Sequence, residues 1–393
     1  MELAVSQSRL PTLSTKRSNM NILIYGFSGK ILGGIETFIL NMNEHMSKDC
    51  IFDYIIDGDV CVYKDRIKQR GGSIFFVPGV RRAPIGYIKS FYRILKEQKN
   101  RGTNVLYIQL FSMCNILPVI IAKKLGYKVI LHSHNNGLQS KGFVYTTIHR
   151  IGKCITSKME LIRFTNSKLS SDFMFGKNIK SELIYNAIDT KKFSFSESYR
   201  LSTREEMSSG NNTVIGFVGR LEAQKNPLFM LKVYAEYHQL NPQSELWIVG
   251  EGNLKGQMIE EINKSNVVSS VKWLGRRNDV EKLMSGMDLL LQPSIFEGLG
   301  IVLIEGQATG LPCVTTDKVV PPEAKASKIL EFVNLNNSPR DWAKVCLELV
   351  YRKGLNDRNA NSSYFEKKYD IDYESTSLEF ILNSIDKNGQ ISR

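Results

Sequence analysis

Between Ser294 and Pro312 the only charged residues are two glutamates, Glu297 and Glu305, eight positions apart among apolar and small neighbours. A carboxylate in such surroundings is costly to bury unless a cation or hydrogen-bond donor meets it. Gly298 and Gly300 give a loop that a ligand can approach closely. Residues 300–309 read as a helix closed by Gly310 and Pro312. A carboxylate beside a helix start, where backbone N–H groups point outward, marks a candidate ligand site. The plainer alternative is that Glu297 caps the helix and Glu305 leans into solvent. Residues 214–227 read as strand, glycine turn and then a helix with Pro227 in its first turn, and Arg220 and Lys225 flank that turn. Cations are disfavoured at a helix start by its dipole, so a pair of them there points to an anion. Arg220 can fork two hydrogen bonds onto phosphate oxygens while Lys225 supplies a point charge.

Near the other end of the chain, Gly33-Gly34-Ile35-Glu36 follows the expected strand 22–26. Without Cβ atoms the Gly33 and Gly34 amides can approach a phosphate, and the next helix aims its positive end there. These three motifs together resemble the retaining GT-B glycosyltransferases of the group one superfamily, over about residues 20–385. In that superfamily Glu-x7-Glu, the Gly-Arg…Lys pair and Gly-Gly-x-Glu face one nucleotide sugar. The wording Glu-Gly-Leu-Gly-Ile-Val-Leu-Ile-Glu at 297–305 and Val-Pro-Pro-Glu-Ala at 320–324 is most similar to bacterial capsule and exopolysaccharide transferases. The resemblance implies a metal-independent, retaining hexosyltransferase that moves a sugar from a UDP-sugar to a lipid-linked saccharide.

The same resemblance distributes roles. Glu305 suits the ribose, since its two oxygens can accept from adjacent hydroxyls, and Glu297 contacts the transferred sugar. The backbone amides of Leu299, Gly300 and Ile301 would hold phosphate or sugar hydroxyls. Gly250 and Leu274, each at a strand end, match residues that line the base and phosphate pocket. His134 matches the histidine beside the reacting sugar, with His132 as runner-up. Two histidines at i, i+2 without carboxylate or cysteine partners nearby do not make a metal site, so none is expected. Asp57-Gly58-Asp59 reads as the turn that ends a strand. Many family members carry Phe-Pro where Leu299-Gly300 stands and Ala at Gly306, departures that bear on donor identity. Two other classes stay open: a nucleotide-sugar epimerase of the same architecture, and a sugar-nucleotide-binding subunit without catalysis.

Elements that could position these residues alternate along the chain. Strands are expected at 22–26, 51–56, 73–77, 105–109, 128–132, 161–165 and 182–185, with helices between them. A second series runs at 213–218, 244–249, 268–273, 288–292, 312–315 and 329–333. Such alternation implies parallel sheets covered on both faces. The expected fold is therefore α/β of GT-B type, two Rossmann-like doubly wound domains facing across a cleft. The divisions are a disordered extension 1–19, an acceptor-side domain 20–190 and a polar linker 191–212. A nucleotide-sugar-binding domain 213–365 and a helix within 366–393 that returns to the first domain complete them. Met20, directly before the first strand, is an alternative start.

The 393 residues exceed one typical domain. Six cysteines without Cys-x-x-Cys spacing indicate neither zinc nor a disulfide framework and suit a reducing cytoplasm. Residues 1–190 hold 27 basic and 13 acidic residues, against 25 and 26 in the remainder, so a polyanion is expected to face the first half. No module that reads nucleic acid accompanies this charge. An anionic membrane surface fits it better, with the protein peripheral on the inner face of the cell membrane. A helix at 85–99 would supply the contact: Ile85, Ile88, Tyr92 and Leu95 form a stripe beside Lys89, Arg93, Lys96 and Lys99.

Overall fold

The computed structural model describes residues 20–30, 33–137, 142–352, 357–359, 365 and 367–388; the expected extension 1–19 lies outside them. Strands β1 (Met20–Tyr25), β2 (Cys50–Asp57), β3 (Ile74–Val77), β4 (Val105–Leu110), β5 (Lys128–Ser133), β6 (Ile162–Thr165) and β7 (Glu182–Leu183) form one parallel sheet in the order β3-β2-β1-β4-β5-β6-β7. A second parallel sheet takes β8 (Thr213–Val218), β9 (Ser244–Val249), β10 (Val271–Gly275), β11 (Leu289–Gln292), β12 (Cys313–Thr316) and β13 (Leu330–Val333) in the order β10-β9-β8-β11-β12-β13. Central strands such as β4 and β9 are buried at every position, as sheets covered on both faces require.

In each sheet the strand order reverses once, between β1 and β4 in the first and between β8 and β11 in the second. Connections leave such neighbours toward opposite faces, opening a crevice at their carboxyl ends. The Gly33-Gly34 loop follows β1, and the Arg220–Lys225 loop follows β8. Glu297 follows β11, and His134 follows β5, next to β4. Chain topology thus delivers the candidate residues to the two crevices.

The helix Ile301–Ala308 carries Glu305, and its start is set by Gly300 at φ +84°, a left-handed turn that suits glycine. Gly306 is explained by packing, because a Cβ there would lie 2.9 Å from Cys313 Sγ and 3.0 Å from Leu290 Cδ2. The C-terminal helix Ile371–Asn388 packs Leu378, Ile381, Leu382 and Ile385 into the same core as Phe38 and Met42 of the helix Gly34–His45. Polar contacts lock this crossing, with His45 Nδ1 2.6 Å from Asp372 and the Ser47 amide donating to Glu379 at 2.8 Å.

Two readings of the sequence change in detail. Within 191–212, a stretch read as a polar linker, the helix Glu197–Glu206 forms. It docks through Arg200 and Arg204, which reach Asp288 at 2.7 and 3.2 Å. Ion pairs rather than an apolar stripe fix it, so hydrophobic periodicity did not mark it. The helix Pro84–Asn100 exposes Ile85, Ile88 and Tyr92, but Leu95 is fully buried beside Tyr87, Phe91 and Ile94. Lys99 is also withdrawn, donating to Asn104 Oδ1 and to the Gly126 carbonyl, both at 2.9 Å.

Candidate functional site

The second sheet builds one wall of the cleft. Loops after β8, β9 and β10 stack backbone on backbone: the Gly219 amide donates to Val249, and the Gly250 amide to Gly275, at 2.9 and 2.8 Å. A Cβ at Gly250 would lie 1.9 Å from the Gly219 carbonyl oxygen, so only glycine lets these turns meet. Leu274, at the end of β10, is half-buried and packs on the core below. Arg220 is exposed and bonds within its own loop, to Glu222 and Gln224 at 3.2 and 3.3 Å.

Lys225 is largely buried, and its ammonium donates to the Glu297 carboxylate. Ser294 Oγ donates to the same Glu297 oxygen at 2.9 Å. Glu297, only 7% exposed, is therefore held by an ion pair and a hydroxyl rather than serving as a helix cap. Glu305 is half-buried, and no described residue donates to its carboxylate. Burial pushes its pKa up to about 7, a rise that Glu281 adds to and that Lys192 and Lys225 oppose. The amides of Leu299, Gly300 and Ile301 donate to no described residue, and the Leu299 side chain itself lies in the core. A carboxylate without a donor beside amides without acceptors can take hydroxyls on one side and an anion on the other.

The first sheet builds the facing wall. Glu36 accepts from the Ser28 and Gly33 amides at 2.9 and 3.0 Å, so this glutamate shapes the glycine loop from within. Gly34 lies opposite the start of the Glu305 helix, where an added Cβ would be 3.8 Å from Ile301 Cδ1. His134 is buried, and Gln109 Oε1 accepts from its Nε2 at 2.7 Å. That bond puts the ring proton on Nε2 and leaves Nδ1 an acceptor with no partner among the described residues. Burial lowers the His134 pKa to about 3, so the ring stays neutral. His132 lies behind it, its ring centroid 4.0 Å away and its Nδ1 2.6 Å from the Tyr107 hydroxyl.

Direct contacts close the cleft at one end. A Cβ on Gly298 would sit 1.7 Å from the His134 carbonyl oxygen, so the two walls meet there main chain to main chain. Ser167 Oγ donates to the Gly298 carbonyl at 2.9 Å, Asn136 to the Val319 carbonyl at 2.8 Å, and the Lys168 amide to Glu323 at 2.8 Å. Glu323 belongs to the Val-Pro-Pro-Glu-Ala motif quoted at 320–324, whereas Gln109, Ser167 and Asn136 were not singled out by the sequence; for Gln109 the signal was a lone polar residue interrupting an apolar strand. Asp57 ends β2 and accepts from the Tyr25 hydroxyl at 3.3 Å. Among the described residues no group of three or more His, Cys, Asp or Glu side chains could hold a metal ion.

Two doubly wound parallel sheets whose switch points face one cleft define the GT-B fold. Residues 201–363 match the family model described as Glycosyl transferases group 1, and the chain carries a domain of that family. It is 27% identical over 342 residues to EpsF of Bacillus subtilis (strain 168), named as a glycosyltransferase, covering 83% of this chain and 87% of that one. It is likewise 27% identical over 261 residues to the UDP-Gal:alpha-D-GlcNAc-diphosphoundecaprenol alpha-1,3-galactosyltransferase of Escherichia coli, covering 62% of this chain and 66% of that enzyme. In fold it is similar to Alr3699/HepE of Anabaena, whose structure is solved in complex with UDP and glucose. That likeness has a TM-score of 0.75 at 18% identity, over 93% of this chain and 100% of that one.

Proposed function

We propose that the protein is a retaining glycosyltransferase that moves a sugar from a UDP-sugar to a lipid-linked saccharide in bacterial surface-polysaccharide assembly. One observation carries this: Arg220, Lys225, Glu297 and Glu305 share one wall of a cleft whose other wall presents Gly33, Gly34 and His134. In this reading Arg220, Lys225 and the amides of Leu299, Gly300 and Ile301 take the diphosphate. As the sugar–phosphate bond breaks, negative charge grows on the leaving oxygen, and these fixed cations and dipoles stabilise it. Glu305 accepts from the ribose hydroxyls. Glu297 touches the sugar, its carboxylate positioned by the ion pair with Lys225. His134, neutral and fixed by Gln109, stands beside the sugar.

Retention follows in this reading from attack on the face that the leaving group departs, with the leaving phosphate taking the acceptor proton. Glu297 is tied to Lys225 and Ser294, so it is not offered as a glycosidase-type nucleophile. Phosphate charge is met by protein cations and amides, and no metal is assigned a role. The Escherichia coli relative is named for a UDP-sugar donor and a diphosphoundecaprenol-linked acceptor, which supports both substrate classes. The basic first half is assigned to an anionic membrane surface, where such acceptors reside.

Incubation with a panel of UDP-sugars, with and without a lipid-linked acceptor and a chelator, tests this. Acceptor-dependent UDP release that survives the chelator is expected, with the anomeric configuration kept in the product. Formation of an epimer, or UDP-sugar binding without release, would assign the cleft to an epimerase or to a binding subunit.

A further inference from the structure

The helix Phe143–Ser157 is built inside out. Its inward face is small and polar: His149 Nδ1 accepts from the Met113 amide at 3.1 Å, and Gly152 presses on Met113 so closely that a Cβ would lie 2.0 Å from its carbonyl oxygen. Thr156 turns its hydroxyl back to the Gly152 carbonyl at 2.8 Å. The outward face is apolar, with Phe143, Val144, Ile148, Ile151 and Ile155 between 42% and 85% exposed. At the helical repeat Val144, Ile148, Ile151 and Ile155 fall within an arc of about 60°. A helix on a water-facing surface shows the reverse pattern, because burial of its apolar stripe is what holds it in place.

We infer that this apolar stripe inserts into the interface of an anionic lipid bilayer, beside the basic helix Pro84–Asn100. The inference deepens the proposed function by naming the surface that meets the membrane, and it rests on that reading only for the acceptor's lipid. Charge selects the occupant. No acidic residue lies in 143–157, exposed Arg150 and Lys158 flank the stripe, and Arg81, Arg82, Lys89, Arg93 and Lys96 are exposed on the neighbouring helix and the turn before it. A symmetric contact with a second copy would set these cations against themselves, whereas anionic lipid satisfies both the apolar stripe and the charges.

The two helices share one support. Segment 111–117 bonds to both, through Asn115 to the Tyr87 hydroxyl at 3.3 Å and Ser112 to the Tyr145 hydroxyl at 3.0 Å. Exposed Phe111 stands in the same segment. That segment follows directly on β4, which carries Gln109 beneath His134. The apolar face is therefore tied, through that segment, to the strand that carries Gln109 beneath His134 in the cleft.

Sedimentation with phosphatidylglycerol-containing vesicles and with pure phosphatidylcholine vesicles tests the inference, using wild type and a triple variant, Phe143→Ser with Ile148→Ser and Ile151→Ser. All three side chains are exposed, so the fold is retained, and UDP affinity by calorimetry is expected to match wild type. Wild type binds the anionic vesicles, and the triple variant binds them at least tenfold more weakly. In Ile151→Trp, tryptophan emission shifts to the blue on adding the same vesicles. Equal vesicle binding by wild type and the triple variant overturns the inference. So does a wild-type dimer that the triple variant converts to monomer without any vesicle binding. Failure of wild type to bind UDP would instead strike the proposed function and leave the lipid face standing.

Discussion

Lys225 and Glu297 form an ion pair that joins the loop after β8 to the loop after β11, across the switch point of the second sheet. Both side chains are largely buried, so each is the other's main compensation for leaving water. A donor diphosphate arriving beside Lys225 would share this cation, which couples nucleotide binding to the position of Glu297.

That coupling separates the two cations. Lys225→Ala leaves a buried carboxylate unpaired and should cost on the order of 3 kcal/mol of stability. Arg220→Ala removes only an exposed pair with Glu222 and should leave the melting temperature near wild type. Each should weaken UDP binding tenfold or more, because a charged hydrogen bond contributes roughly 1.5–3 kcal/mol. Calorimetry showing wild-type UDP affinity in both variants would remove the phosphate assignment.

Glu305 and Glu297 should part by pH and by step. With its pKa raised to about 7, Glu305 ionises across neutrality. If its carboxylate holds the ribose, UDP affinity should rise about tenfold between pH 6 and pH 8, as the ionised fraction grows. Glu305→Gln should flatten that rise to whatever UDP's own titration gives. Glu297→Gln should depress turnover while UDP affinity is no weaker than wild type, since Lys225 is then released to the diphosphate. Parallel pH curves for wild type and Glu305→Gln would refute the ribose role.

Glu374 is a stability determinant with a defined sign. It is buried on the C-terminal helix, accepts from the Tyr185 amide at 2.8 Å, and has its pKa raised to about 8 by burial. Its contribution is fully present below the unfolded pKa near 4.5 and is lost as pH rises through 8. Over that window the loss is on the order of a few kcal/mol. Glu374→Gln keeps an acceptor for the amide and removes the titration. Thermal melts should show the variant equal to wild type near pH 4.5 and more stable at pH 8; coincident melts at pH 8 would rule this out.

Gly298→Ala tests the closed end of the cleft. A methyl 1.7 Å from the His134 carbonyl oxygen cannot fit, so the walls must separate or the Glu297 loop must move. Displacement of a positioning group by about 1 Å can cost about 100-fold in rate. Turnover, measured as acceptor-dependent UDP release, should fall by that order. Wild-type turnover in this variant would show that the contact is dispensable.

Sequence alone determined the parallel α/β alternation and the strand ends on which Gly33, Arg220, Glu297 and His134 stand. Strand periodicity, glycine turns and helix starts are local, and local spacing fixes which side chains reach a carboxyl end. Spacing could not show that Lys225 pairs with Glu297 72 residues away, nor that Gln109 fixes the ring of His134. Those contacts depend on which strands become neighbours at a switch point. The apolar repeat at Val144, Ile148, Ile151 and Ile155 was also present in the sequence, but a repeat does not say which face turns inward. The tertiary structure decided that, because Met113 takes up the polar side of the helix and leaves the apolar side facing outward.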